Sequence, residues 1–167
     1  LPGSVVKVFA GTYVENNPIK CGPQVSIVGD SLREVTVVPQ NADKDLFHVA
    51  PGDLISDMSF TGTMNAGSAV VAFDPDVIRY SGQSPYLLNC TNFISNSIGM
   101  KIDGDNVIGP FKSFVTDSFT QYNQNGIGAS ITNKGYAQIV SLFTINSDMG
   151  IFCGSGGQCD VTNSNSS

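Results

Sequence analysis

The chain has 167 residues, of which 41% are apolar and 13% charged, with a net charge of −6 and a pI near 4.4. That length and apolar share suit one well-buried domain and argue against disorder. No basic run exists to meet a phosphate backbone, which excludes nucleic acid as a partner, and no apolar stretch approaches the roughly 20 residues of a membrane span, so membrane insertion is not expected.

In chain order, the start Leu1-Pro2-Gly3-Ser4 has neither the basic end nor the apolar core of a signal peptide. A strand over Val5 to Phe9 is followed, across a turn that Gly11 permits, by Gly11-Thr12-Tyr13-Val14-Glu15 and then by Val25-Ser26-Ile27-Val28-Gly29-Asp30. Val35 to Val38, Leu46 to Val49, Leu54 to Phe60 and Ala69 to Phe73 are each short, β-rich and bounded by Gly, Pro, Asn or Asp. The later half repeats itself: a strand ends near an aromatic, a polar turn follows, and Gly precedes an aliphatic strand. Phe93, Phe119 and Phe143 are 26 and 24 residues apart, and Gly99, Gly126 and Gly150 are 27 and 24 apart. No helical periodicity persists beyond a turn or two.

This recurrence predicts an all-β fold, a single-stranded right-handed parallel β-helix over residues 1–167, with about five to seven coils of roughly 22 to 30 residues. A β-sandwich or jelly roll would instead show hairpin dipeptides between alternating strands. Expected in the core are Val25, Ile27, Phe47, Val49, Phe60, Val70, Phe93, Ile102, Phe119, Ile127, Phe143 and Ile151. Asn92, Asn96, Asn123, Asn125, Asn146 and Asn163 are read as turn and ladder residues that bond along the stack. The first strand lacks a preceding capping helix, and Cys159 to Ser167 reads as a strand entering a turn; the expectation is a segment of a longer chain.

Cysteines stand at 21, 90, 153 and 159. The flexible Gly154-Ser155-Gly156-Gly157-Gln158 loop could bring Cys153 and Cys159 together as a disulfide, while the reading favoured for the four is buried free thiols. Their spacing is not that of a zinc site. Among fourteen acidic residues, Asp43, Asp45, Asp57, Asp74 and Asp76 could share one lateral face, with Asp57, Asp74 and Asp76 the catalytic candidates against a reading as solvated turn aspartates. Asp103-Gly104-Asp105-Asn106 is the richest calcium candidate, through Asp103 and Asp105, with an ordinary Asx turn as the competing reading. His48, the sole imidazole, alternates with Phe47 and Val49 and is expected outside as an exposed strand residue rather than a general base. No cofactor is called for.

Gly11 to Glu15, Val25 to Asp30, the strand near Leu54 to Phe60, Ala69-Val70-Val71 and Cys90 to Phe93 resemble the pectin-lyase-like superfamily, pectin methylesterases in particular. The resemblance implies the β-helix but not the activity. Where that family carries Gln-Asp-Thr-Leu-Tyr, this chain has Ser95-Asn96-Ser97-Ile98-Gly99. The Gly-His-Gly, Asp-Asp and Arg-Ile-Lys motifs of polygalacturonases are missing, and Arg33 and Arg79 sit in no lyase motif.

The acidic, Asn/Ser/Gly-rich composition and the Cys159 to Ser167 ending also resemble structural and tail-associated proteins of tailed bacteriophages. That implies a non-catalytic segment of a virion tail fibre or spike, working as a homo-oligomer, a trimer by resemblance, or against other virion subunits, and contacting a host-surface polysaccharide. The alternatives are a fragment of a carbohydrate-active hydrolase, lyase or esterase, and an extracellular adhesin module. The lack of Trp and the five Tyr provide few sugar-stacking platforms, which weighs against the enzyme.

Overall fold

A computed structural model describes residues 1–77, 83–109 and 112–167. Among these residues are sixteen strands: β1 (Val5–Val8), β2 (Gly11–Glu15), β3 (Ile19–Lys20), β4 (Ser26–Gly29), β5 (Val35–Pro39), β6 (Phe47–Val49), β7 (Leu54–Phe60), β8 (Ala69–Phe73), β9 (Tyr86–Asn92), β10 (Ile98–Asp103), β11 (Ser113–Gln121), β12 (Ile127–Thr132), β13 (Tyr136–Thr144), β14 (Met149–Cys153), β15 (Gln158–Thr162) and β16 (Asn165–Ser166). One 3-10 turn, Gly104–Asn106, is the only helical element among the described residues.

The strands form two long sheets, and the pairings among the described residues are parallel. One sheet runs β1-β4-β7-β9-β11-β13-β15, with β2, β5 and β16 attached, and the other β14-β12-β10-β8-β6-β3. From β6 to β15 the chain alternates between them, each visit laying a strand beside the one left at the previous visit, and β16 then returns to β13 in the larger sheet. Parallel strands cannot be joined by a two-residue turn, which is why each visit needs a crossing to the other sheet.

Register explains the core. In the larger sheet Ile55, Leu87, Thr116 and Ile139 stand level on successive strands, and all four are fully or almost fully buried. Three residues further on, Met58, Cys90, Phe119 and Leu142 form a second buried row. Two inward positions three apart cannot belong to a flat strand, whose faces alternate every second residue. Between the rows lie Asp57, Asn89, Ser118 and Ser141, with φ of 59°, 50°, 58° and 53°. Each left-handed residue shifts the alternation by one and turns the strand, a conformation that Asn and Asp adopt more readily than other side chains.

That shift corrects two core expectations. Phe93 is 48% and Phe143 is 37% exposed. Phe119 stands level with Cys90 and Leu142, whereas Phe143 stands level with Thr120. Away from the buried apolar rows, Phe93 stacks on Tyr122, with centroids 5.4 Å apart and planes within 8°. The glycine recurrence shifts likewise: Gly99 and Gly150 flank Gly128, since Ile98 and Met149 both pair with Ile127, while Gly126 lies in the preceding turn. Ile27, Ile127 and Ile151 are half-buried, and the remaining expected core residues are buried.

Asn residues divide into two structural kinds. Asn96, Asn125, Asn146 and Asn163 hold positive φ at turns. Asn92 and Asn123 are fully buried and hydrogen-bonded, Asn123 donating to the carbonyls of Ser97 and Ile127 at 3.1 Å each.

Candidate functional site

The most developed polar constellation is a lateral cleft of about 420 Å³ beside the smaller sheet, bounded by Asp43, Lys44, Asp45, His48, Ser68 and Lys101. Its construction begins at Asn17, which is 3% exposed. Asn17 Nδ2 lies 2.8, 2.9 and 3.1 Å from the carbonyls of Asn41, Lys44 and Asp45, and its Oδ1 accepts from the Asn41 N–H at 2.8 Å. One buried amide thereby fixes the loop between β5 and β6, satisfying carbonyls that would otherwise be left unpaired.

The loop delivers Asp45. Its Oδ1 accepts from the Ala69 N–H at 2.7 Å and from Lys101 Nζ at 3.1 Å, and its Oδ2 lies 3.0 Å from His48 Nε2. Burial pushes the Asp45 carboxyl up, but the contacts from His48, the Ala69 amide and Lys101 together outweigh it and hold the group below its usual value. Lys101 also donates to the Gly67 carbonyl at 3.2 Å. The lateral position of His48 is set by pairing: Lys20, His48, Ala72 and Lys101 stand level on β3, β6, β8 and β10.

The same face continues to Lys20, whose Nζ is 2.6 Å from Asp76 Oδ2 and 3.4 Å from Asp74 Oδ1. The hydrogen bond to Asp76 leads the causes that raise Lys20, and the same bond leads those that lower Asp76, with a further contribution from His48. Asp74 is 5% exposed and also receives the Asp76 N–H at 3.0 Å. Of the acidic residues proposed for one lateral face, Asp43, Asp45, Asp74 and Asp76 therefore border the smaller sheet. Asp57 does not join them: it stands at the kink of β7 in the larger sheet and accepts from Asn89 Nδ2 at 2.8 Å.

His48 is less exposed than its strand position suggests, with 14% of its side chain accessible, because Asp45 pairs with it from the neighbouring loop. Nε2 is engaged by Asp45, and Nδ1 is buried without a hydrogen-bond partner among the described residues. With Nε2 occupied by Asp45 and Nδ1 buried, neither ring nitrogen is open to a substrate in this arrangement. The rim of the cleft carries the Asp43 carboxylate, the Lys44 ammonium and the Asn65 amide, with Asn65 Nδ2 bonded to Asp43 and the buried Ser68 hydroxyl donating to the Ala42 carbonyl at 3.1 Å.

The remaining candidates have local roles. Asp103 Oδ1 accepts from the Asp105 N–H at 2.9 Å and from Asn133 Nδ2 at 2.8 Å, an Asx turn tied to the next strand pair. Among the described residues no group of three or more His, Cys, Asp or Glu is placed to hold a metal, and no helix is long and apolar enough to cross a membrane. Arg33 is exposed, and Arg79 lies outside the described residues.

All four cysteines are free thiols. Burial of all four does not hold: Cys90 is buried and Cys21 half-buried, while Cys159 is half-buried and Cys153 exposed on β15 and β14, the last strands of their sheets among the described residues. Burial pushes Cys90 up to about 12, and burial with the nearby Asp53 and Asp74 charges pushes Cys21 up to about 12. Two residues that the sequence did not single out matter most for construction. Asn17 is one; Asp53, 1% exposed, is the other, accepting the N–H groups of Val25 at 3.0 Å and Ala50 at 2.7 Å.

Compared with family models, with curated proteins and with solved structures, the chain matches none of them.

Proposed function

We propose that the chain is a right-handed parallel β-helix of the pectin-lyase-like kind and acts as a non-catalytic structural segment of a tailed-phage virion, in a tail fibre or spike. The alternation of the chain between two parallel sheets, each visit pairing with the last, supports the solenoid winding. The observation that carries the structural role is the use made of the polar side chains. Asp57 bonds Asn89 and Asp103 bonds Asn133, each between adjacent strands or turns, and Asp45, Asp74 and Asp76 are ion-paired. Groups spent on holding neighbours in register are not poised as an acid and base pair, which would need separate environments and room for sugar between them.

The virion setting rests on the acidic, Asn/Ser/Gly-rich composition and its resemblance to tail-associated proteins. In that setting the chain assembles as a homotrimer or with other virion subunits, and the lateral cleft meets a host-surface polysaccharide through its hydrogen-bonding rim. An extracellular adhesin would use the same surface.

A second reading, a fragment of a polysaccharide esterase, hydrolase or lyase, has one observation in its favour: the 3.0 Å Asp45–His48 contact beside an open cleft. Incubating the purified chain with pectin, polygalacturonate and bacterial surface polysaccharides separates the two. The structural reading expects no new reducing ends and no unsaturated products. Product release that is lost in Asp57→Asn, Asp74→Asn or His48→Ala overturns it.

A further inference from the structure

Cys153 closes β14 and stands level with Ile131 of β12, while Cys159 lies in β15 and stands level with Ala137 of β13. Ile131 and Ala137 are fully buried members of the core, on the inward rows of the smaller and the larger sheet respectively. The two cysteines therefore extend those rows by one strand each: Cys159 packs against the core, Cys153 is exposed, and their thiols adjoin. The Gly154 N–H donates to the Ile131 carbonyl at 3.0 Å, and the Gln158 N–H donates to the Gly135 carbonyl at 3.0 Å. These two bonds pin both ends of the intervening loop. Within it, Ser155 and Gly156 take φ of 51° and 76°, and the Gly157 N–H closes the turn onto the Gly154 carbonyl at 2.9 Å.

We propose that Cys153 and Cys159 are a redox modification site, forming a reversible disulfide that clasps β14 to β15 and so ties the two sheets together at this strand pair. The oxidant is a small disulfide of the glutathione class. Exposed Cys153, as thiolate, attacks one sulfur of that disulfide and expels the first small thiolate, leaving a mixed disulfide on Cys153. Cys159, giving its proton to solvent, then attacks the Cys153 sulfur and expels the second. One S–S bond is broken and one formed overall, the two cysteines are oxidised, and the small disulfide is reduced to two thiols. The order follows from access: Cys153 is exposed and Cys159 only half so. Burial, followed by the adjoining Cys153 thiol, also raises Cys159 and disfavours it as the first attacker. Cys90, sealed in the core, has no cysteine level with it on β7 or β11.

Titrating the native chain with oxidised glutathione, followed by thiol counting under denaturing conditions and peptide mapping, tests this. The expected result is a fall from four free thiols to two per chain, with a monomeric Cys153–Cys159 crosslinked peptide. Oxidation should raise the melting temperature by on the order of 5 °C and be reversed by dithiothreitol. Cys153→Ser and Cys159→Ser should each form no intramolecular bond, while Cys90→Ala should still form it; mapping of the unmutated chain keeps the test independent of how the variants fold. Four thiols persisting at full oxidant excess, a bridge involving Cys21 or Cys90, or bonding only between chains overturns the proposal.

Discussion

Asn92 Nδ2 donates to Gln121 Oε1 at 3.2 Å, joining two fully buried amides on adjacent strands β9 and β11. The bond belongs to an internal polar row: Gln121 Nε2 donates to the Gly128 carbonyl at 2.9 Å, and Thr144 Oγ1, level with Gln121, donates to Ser166 Oγ at 2.8 Å. A low-dielectric interior strengthens such bonds and makes any orphaned member costly. Gln121→Leu is expected to destabilise the chain by about 1–3 kcal/mol, because it strands the Gly128 carbonyl and removes one acceptor of the Asn92 amide. Urea denaturation checks it.

Gly99 is the spatial complement of that row. A Cβ there would lie 2.0 Å from Gln121 Oε1 and 2.5 Å from its Cδ. Gly99→Ala should therefore cost about 1–3 kcal/mol by overpacking. The double variant Gly99→Ala/Gln121→Ala should be less destabilised than the sum of the two singles, since removing the amide vacates the space. Additive values in denaturation experiments would show that the two sites do not share it.

Phe119 and Phe143 recur at similar sequence spacing but face opposite ways. Phe119→Ala should cost about 3–5 kcal/mol, as for a filled core position, and Phe143→Ala under about 1.5 kcal/mol. Equal losses in thermal or chemical melts would contradict the register.

Asp45 has a lowered carboxyl in the folded chain. A group held below its unfolded value adds stability that is present above the unfolded pKa and lost as pH falls through the folded one. Wild type should therefore lose stability relative to Asp45→Asn as pH falls below about 4. At pH 7 the Asn variant should be less stable by about 1–3 kcal/mol. Melting curves from pH 7 to pH 3 test both, and a constant gap across that range would contradict the assignment.

Strand positions were legible because short β-branched segments bounded by Gly, Pro, Asn and Asp leave few choices; β7 and β8 begin and end where the sequence places them. Facing was legible only up to each kink. Nothing in Ile139-Val140-Ser141-Leu142-Phe143 announces that Ser141 adopts φ of 53°, yet this one dihedral moves Leu142 inward and Phe143 out. The site was partly legible: His48 and the acids near it were visible, but Asp45 meets Lys101 across 56 residues of sequence. Asn17 resembled any other loop amide until the 41–45 loop closed around it.

The most direct test of the stacked parallel arrangement is a distance along one strand column. Lys7, Val28, Ser56, Leu88, Asp117, Val140 and Thr162 stand level on successive strands of the larger sheet. Lys7 and Thr162 are thus six strand spacings apart in the order β1-β4-β7-β9-β11-β13-β15. At about 4.8 Å per spacing the backbone separation is about 29 Å. Spin labels introduced at Lys7 and Thr162 as noncanonical amino acids, measured by pulsed dipolar spectroscopy, should give a single distribution centred near about 29 Å, within the reach of the label linkers. A distribution centred below about 20 Å would place the first and last strands side by side and contradict the stack.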